Sequence, residues 1–221
     1  MTDIKTLEKK IKDKDLLARA LTHKSWGNEN KDKKLSNERL EFLGDAVLEL
    51  VVSQALYEQF PDKEEGYLTA LRANLVNTTN LARVAKELGV GQILSLSKGE
   101  EEGGGRENPS LLADTMEAII GALYLDQGYE VVSEFVEVNL LKDVPEKVKQ
   151  PLKDAKSRLQ EGVQAKGMPA PRYKVVKETG PDHAKNFVLE VAVNGKVLGV
   201  GKGNNKSVAE QNAAERALKA L

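Results

Sequence analysis

Cysteine is absent from the chain. Disulfides and thiolate chemistry are therefore excluded, and a reducing compartment is permitted. Histidine is nearly absent. His23 and His183 are the only two, and neither stands at ligand spacing from a carboxylate. That argues against a di-iron bundle, which wants Glu-x-x-His pairs. No run approaches the roughly 20 apolar residues of a membrane helix. The opening Met1-Thr2-Asp3-Ile4-Lys5 has no apolar core of the kind a signal peptide needs. There are no internal repeats and no low-complexity segments. The chain is expected to be soluble and cytoplasmic, with no membrane partner and no small-molecule cofactor.

What charge there is lies unevenly. The 221 residues carry a formal net charge of −1. From Asp154 to Leu221 there are 12 Lys+Arg against 7 Asp+Glu, while residues 1–153 hold 21 against 27. An acidic first part with a basic tail suits a metal-dependent site coupled to an anion-binding module. Two ordinary domains of different charge would read the same.

The hydrophobic period changes at the same place. Residues 1–142 read as an all-α domain. Leu7, Ile11, Leu16, Leu17, Ala20 and Leu21 make a first amphipathic pattern. Ser36 or Asn37 is placed to cap a long apolar helix ending near Phe60, before Pro61. Leu68 to Leu88 is a third pattern, closed by Gly89. Lys98 to Pro109, charged and glycine-rich, reads as an exposed loop. A helix then runs to about Asp126, with Gly128 as its stop, and another covers Tyr129 to Leu141. Residues 143–153 are polar, contain Pro145 and Pro151, and read as a linker. Residues 154–221 read as an α+β domain of order α-β-β-β-α. Its helix spans Ala155–Lys166, its strands Arg172–Glu178, Phe187–Val193 and Lys196–Val200, and its last helix Lys206–Leu221. Asn194-Gly195 is a hairpin-turn signal. Ala209, Ala213 and Ala217 give the last helix a smooth face for packing on a sheet.

Four carboxylates break the apolar helices. Glu41 and Asp45 are four residues apart, and Asp114 and Glu117 three apart, so each pair shares one helix face. Leu48 and Val52 continue the stripe of the first pair. From Leu111 to Leu125 the second pair is the only charge. Buried carboxylates are costly unless paired or metal-bound. Oxygen-only ligands favour Mg²⁺ or Mn²⁺ over zinc. Such an ion activates water and stabilises charge on a phosphoryl oxygen, both of which phosphodiester hydrolysis needs. Gly44, Ala118 and Gly121 are small enough to let the two helices approach and share one ion. On spacing alone, a structural role for these carboxylates stays open.

The run Asn37-Glu38-Arg39-Leu40-Glu41-Phe42-Leu43-Gly44-Asp45-Ala46 resembles the signature of the bacterial ribonuclease III family. The resemblance extends to Leu21-Thr22-His23-Lys24-Ser25, to Glu65-Gly66, and from Leu112 through Asp114 and Glu117 to Asp126. The C-terminal module resembles that family's double-stranded-RNA-binding domain. The resemblance implies a homodimeric, Mg²⁺-dependent endoribonuclease, with Mn²⁺ able to substitute, that cuts both strands of duplex RNA. Products would carry 5′-phosphate and 3′-hydroxyl ends, and the role would be processing of ribosomal and other RNA precursors. Glu41, Asp45, Asp114 and Glu117 would hold metal, with Asp45 and Glu117 catalytic. Glu38 and Glu65 would handle RNA or support the metal ligands. Phe42 would enter a socket on the partner subunit; plain core packing is its simpler reading. His23 reads as a hydrogen-bonded structural residue, while Glu49 and Glu100 stay open, Glu49 being placed so that it could simply reach solvent.

Duplex RNA is recognised through shape, 2′-hydroxyls and phosphates. Ser157, Gln160, Glu161 and Gln164 lie on one polar helix face suited to a minor groove. Pro181 and His183 belong to a loop between strands that resembles the family's minor-groove loop. Asn205, Lys206 and Ser207 open the last helix, where N–H groups and a lysine suit a phosphate. The family commonly has two adjacent lysines at this helix start and an aromatic where Ala155 stands. Electrostatic binding weaker than in a strongly basic relative is expected.

Overall fold

The computed structural model describes residues 10–30, 36–149, 152–181 and 184–221. The chain divides into two compact units, Met1–Leu152 and Lys153–Leu221.

The first unit is helical. It contains α1 (Lys14–Ala20), α2 (Lys24–Glu29), α3 (Glu38–Gln59), α4 (Glu65–Val76) and α5 (Thr78–Leu88). Two short helices follow, α6 (Val90–Ile93) and α7 (Lys98–Glu102), then α8 (Pro109–Gln127), α9 (Tyr129–Asn139) and α10 (Val144–Lys147). The axis is α8, with α1, α3, α5 and α9 packed on it. Every residue from Ala118 to Leu123 is buried, as expected of a helix that is apolar all round. Asn108 caps it by accepting the Ser110 N–H at 3.0 Å, Pro109 takes its first position, and Gly128 at φ 83° ends it.

Helices α3 and α8 approach backbone to backbone. A Cβ on Gly44 would lie 1.8 Å from the Glu117 carbonyl oxygen, and one on Gly121 would lie 2.2 Å from that of Leu40. Glycine at both positions lets the two backbones meet, and that meeting brings the two acidic pairs together.

In the first unit several elements depart from the sequence reading. Leu68–Leu88 is not one helix, because Asn77 is extended and accepts the Asn80 N–H at 2.9 Å. A new N-cap there outcompetes continuation. The segment after Lys98 is not a plain loop. It holds α7 and a 3₁₀ turn at Gly105–Glu107. Arg106 donates to the carbonyls of Gly91, Gln92 and Leu94 at 2.9–3.2 Å and pairs with Glu101 at 2.7 Å, which orders the segment. Asn37 stands at the start of α3 without a side-chain cap bond, and among the described residues its buried Nδ2 has no hydrogen-bond partner. Residues read as linker include α10, whose Val144 is buried in the core of the first unit. Leu7 and Pro151 lie outside the described residues.

The second unit runs α11 (Ala155–Ala165), β1 (Arg172–Thr179), β2 (Asn186–Val193), β3 (Lys196–Gly203) and α12 (Lys206–Leu218). The sheet is antiparallel, in the order β1-β2-β3. Asn194 at φ 49° and Gly195 at φ 79° make the β2–β3 turn, the positive pair a type I′ turn needs. Phe187, Leu189, Val191 and Val193 face inward. Strand β3 continues past Val200, and glycine hides the continuation. Gly199 and Gly201 show no alternation, yet they face the α12 alanines. Their Cβ atoms would meet Ala213 O at 2.2 Å and Ala209 O at 2.0 Å.

Candidate active site and nucleic-acid interface

Glu41, Asp114 and Glu117 converge. Ligand oxygens of the three lie within 4.8 Å of one another, and all three side chains are half-buried. Glu41 comes from the first turn of α3, and the other two from one face of α8. The electrostatics are those of crowded acids that Lys24 offsets only in part. Burial pushes Glu117 up to about 7, and the charges of Asp45, Asp114 and Glu41 add to it. Glu41 is raised by burial, then by Asp114 and Glu38. Asp114 is raised by burial, opposed by His23 and Lys24. Three carboxylates with no histidine or thiolate in the set fit a hard divalent cation. Asp45 is not in this triad. It is exposed one turn further along α3, where its charge still acts on Glu117.

Around this centre, Glu38 accepts from Lys24 Nζ at 3.1 Å and from Ser36 Oγ at 3.3 Å, and Lys24 holds its carboxyl low. Glu65 is elsewhere, in the first turn of α4, accepting from Thr69 Oγ1 at 2.8 Å. It lines a groove of about 680 Å³ that also includes Leu50, Tyr57, Phe60, Leu68 and Arg72. Glu49 does not simply reach solvent, because Arg72 pairs with it at 2.8 Å. Phe42 is 81% exposed, so within one subunit it is not a core residue. Leu50 and Tyr57, further along α3, are exposed as well.

In the second unit, Gln160, Glu161 and Gln164 are exposed on α11. Ser157 is partly engaged, its hydroxyl donating to Asp154 at 2.8 Å. Glu161 accepts from Lys153 at 2.6 Å. Pro181 is exposed, and His183 lies outside the described residues. Asn205 caps α12 by accepting the Val208 N–H at 2.9 Å. Lys206 and Ser207 are exposed beside it, with Lys206 Nζ 5.8 Å from the Phe187 ring centre.

A family model described as Ribonuclease-III-like matches residues 13–144, and one described as Double-stranded RNA binding motif matches residues 155–221. The chain belongs to the ribonuclease III family. Similar relatives are named Ribonuclease 3. The one from Caldanaerobacter subterraneus subsp. tengcongensis is 48% identical over 97% of this chain and 96% of its own length. The one from Anoxybacillus flavithermus is 50% identical over 96% and 89%. Among solved structures, a ribonuclease III nuclease domain from Campylobacter jejuni, titled for flexibility in a region involved in dimer formation, aligns with TM-score 0.56. It is 46% identical and covers 62% of this chain and 98% of its own. Dicer from Pichia stipitis aligns at TM-score 0.50 and 30% identity over 96% of each chain. As a ribonuclease III this chain is an endoribonuclease acting on double-stranded RNA, with an RNA-binding second unit. Ribonuclease III enzymes depend on a divalent metal, and the triad is a group able to hold one. Among the described residues no helix is long and apolar enough to cross a membrane.

Two features of this ribonuclease III escaped sequence reasoning. His23 has charged neighbours at the acidic centre, Glu100, Asp114 and Glu38 among them. The only signal was its place in the Leu21–Ser25 motif. The groove beside Glu65 had no signal at all, since α3 and α4 build it jointly.

Proposed function

We propose that this chain is a Mg²⁺-dependent ribonuclease III that works as a homodimer. It cuts duplex RNA to 5′-phosphate and 3′-hydroxyl ends, in processing ribosomal and other RNA precursors in the cytoplasm. The observation that carries the reading is the convergence of Glu41, Asp114 and Glu117 within 4.8 Å. Their all-oxygen donor set favours Mg²⁺, with Mn²⁺ as substitute. When bound, the ion supplies charge stabilisation at the scissile phosphate and water activation. Glu41, Asp114 and Glu117 would hold it, and Asp45 would add to the set from the exposed rim. Asp45 and Glu117 are the catalytic pair. Glu117, whose carboxyl burial and then Asp45 push up to about 7, would ionise on holding a divalent cation. Glu38 and Glu65 handle RNA around the centre.

The second unit supplies affinity. Ser157, Gln160, Glu161 and Gln164 address one minor groove. Pro181 and His183 address the next, and Asn205, Lys206 and Ser207 address the phosphates between them. The dimer reading is supported by the exposed Phe42 and by the groove lined by Leu50, Tyr57 and Phe60. A knob and a socket on one surface suit a two-fold, self-complementary contact.

The test is cleavage of a long RNA duplex with Mg²⁺, with EDTA, and by Glu117→Gln. EDTA should abolish cutting. Glu117→Gln should reduce it by about 10²–10³-fold, the scale of losing one transition-state electrostatic group, with duplex binding retained. Binding without cutting by the unchanged protein would sink the enzyme reading. Cutting that survives Glu117→Gln would sink the site.

A further inference from the structure

One face of the sheet in the second unit packs on the helices, and the other is bare. Phe187, Leu189, Val191 and Val193 of β2 point inward, to the cores formed with α11 and α12. Alternation turns Val188, Glu190 and Ala192 the other way. On that outer face Arg172, Lys174 and Lys177 of β1 stand opposite Ala192, Glu190 and Val188. Lys202 of β3 stands opposite Val188 from the other side. All four of these cations are exposed.

Much of the charge that makes this unit basic stands there. Lys153, Lys156 and Lys185 are paired with Glu161, Glu210 and Glu178. The residues read above as meeting duplex RNA include one lysine, Lys206, and one acid, Glu161. Arg172, Lys174, Lys177 and Lys202 have no ion-pair partner among the described residues, and Glu190 is the acid set among them. Their mutual repulsion is relieved by an arriving polyanion. Outward residues two apart on a strand are separated by about 7 Å. The β1 cations therefore form a row and do not converge on a point, which fits a run of anions rather than one small anion. We propose that this outer face binds the phosphate backbone of a second RNA segment. That segment is distinct from the duplex assigned to α11 and the start of α12, because a straight duplex on the helices does not reach the far side of the sheet. The proposal rests on that assignment. An acidic protein is the poorer fit. Val188, Ala192 and Val200 are already partly covered, and a protein interface needs an apolar core. The face has no aromatic side chain among the described residues for bases to stack on, so contact is with phosphates and depends on salt.

The full chain is titrated in EDTA, by gel shift and by anisotropy at stepped KCl. The probe is a duplex of about 16 base pairs, the length one such domain spans. Lys174→Gln with Lys177→Gln is compared with Lys166→Gln with Lys219→Gln. The second pair removes the same charge from the ends of α11 and α12. The unchanged protein should take up one duplex per subunit and then a second, weaker one. The sheet variant should keep its affinity for the first duplex, which also shows the unit folded. It should hold the second at least about tenfold more weakly, with the slope of log affinity against log salt smaller by about 2. The helix-end variant should keep both complexes. Equal loss in the two variants, a second complex that the sheet variant leaves intact, or no second complex at all overturns the proposal while RNA binding by the helices stands. A polyglutamate peptide that displaces the second duplex better than unlabelled RNA does gives the face to an acidic protein, and overturns it too. An unchanged protein that binds no duplex overturns the RNA-binding assignment itself.

Discussion

Glu117 has a carboxyl pushed up to about 7 by burial and by its acidic neighbours, against roughly 4.3 in an unfolded chain. A folded-state pKa above the unfolded value means the native form holds the proton between those limits. The stability this group contributes without metal is complete below about 4.3 and lost as pH rises through about 7. Glu41 and Asp114 shift in the same direction. In EDTA, the melting temperature of the unchanged protein should therefore fall relative to Glu117→Gln between about pH 5 and 8. Added Mg²⁺ should stabilise the unchanged protein increasingly over the same span, because the cation replaces the proton. Calorimetric melts at stepped pH check both. Parallel pH dependence of the two proteins in EDTA would contradict the crowding. Asp154 runs the opposite way. Hydrogen bonds from Gln211 and Ser157 hold it near 2, so its contribution is present above the unfolded value of roughly 3.9 and lost on acidification toward 2. The sequence exposed the acids by their apolar company. It did not separate exposed Asp45 from the triad, since helix phase gives a shared face and not a distance.

Helix α3 meets α8, and β3 meets α12, through glycines that bring backbone against backbone. Overpacking a core costs about 1–3 kcal/mol when side chains can yield. Here the obstacles are carbonyl oxygens, which yield less. Gly44→Ala should cost at least about 3 kcal/mol, and Mn²⁺ affinity should drop because Glu41 moves away from Glu117. Gly201→Ala should weaken the second unit and its duplex binding while the first unit keeps its metal affinity. Denaturant melts with metal titration read both, and a Gly44→Ala protein of unchanged stability would refute the contact. At this scale the sequence showed most elements. It merged α4 with α5, because periodicity continues across Asn77 while the chain direction does not. It also shortened β3, because glycines carry no pattern.

For the whole molecule, the exposed Phe42 and the groove beside Tyr57 predict assembly. Phe42→Asp removes the knob and adds a charge. The proposed dimer should weaken by at least about 2 kcal/mol, roughly thirtyfold in Kd. Sedimentation at stepped concentrations measures this, and an unchanged dimer would remove Phe42 from the interface. The break between an acidic helical part and a basic α+β part was legible, because composition and period change together near residue 150. The groove was not, because its walls are separate helices.

The sequence by itself determined the family, the two units, the acids and the hairpin. Each of these depends on residue type and local spacing, which a chain carries in any conformation. Tertiary structure decided which acids converge, that Val144 of the stretch read as linker joins the first core, and where His23 stands among charged groups. Those depend on distances between segments remote in sequence. Close backbone contacts at Gly44 and Gly121 set the central one.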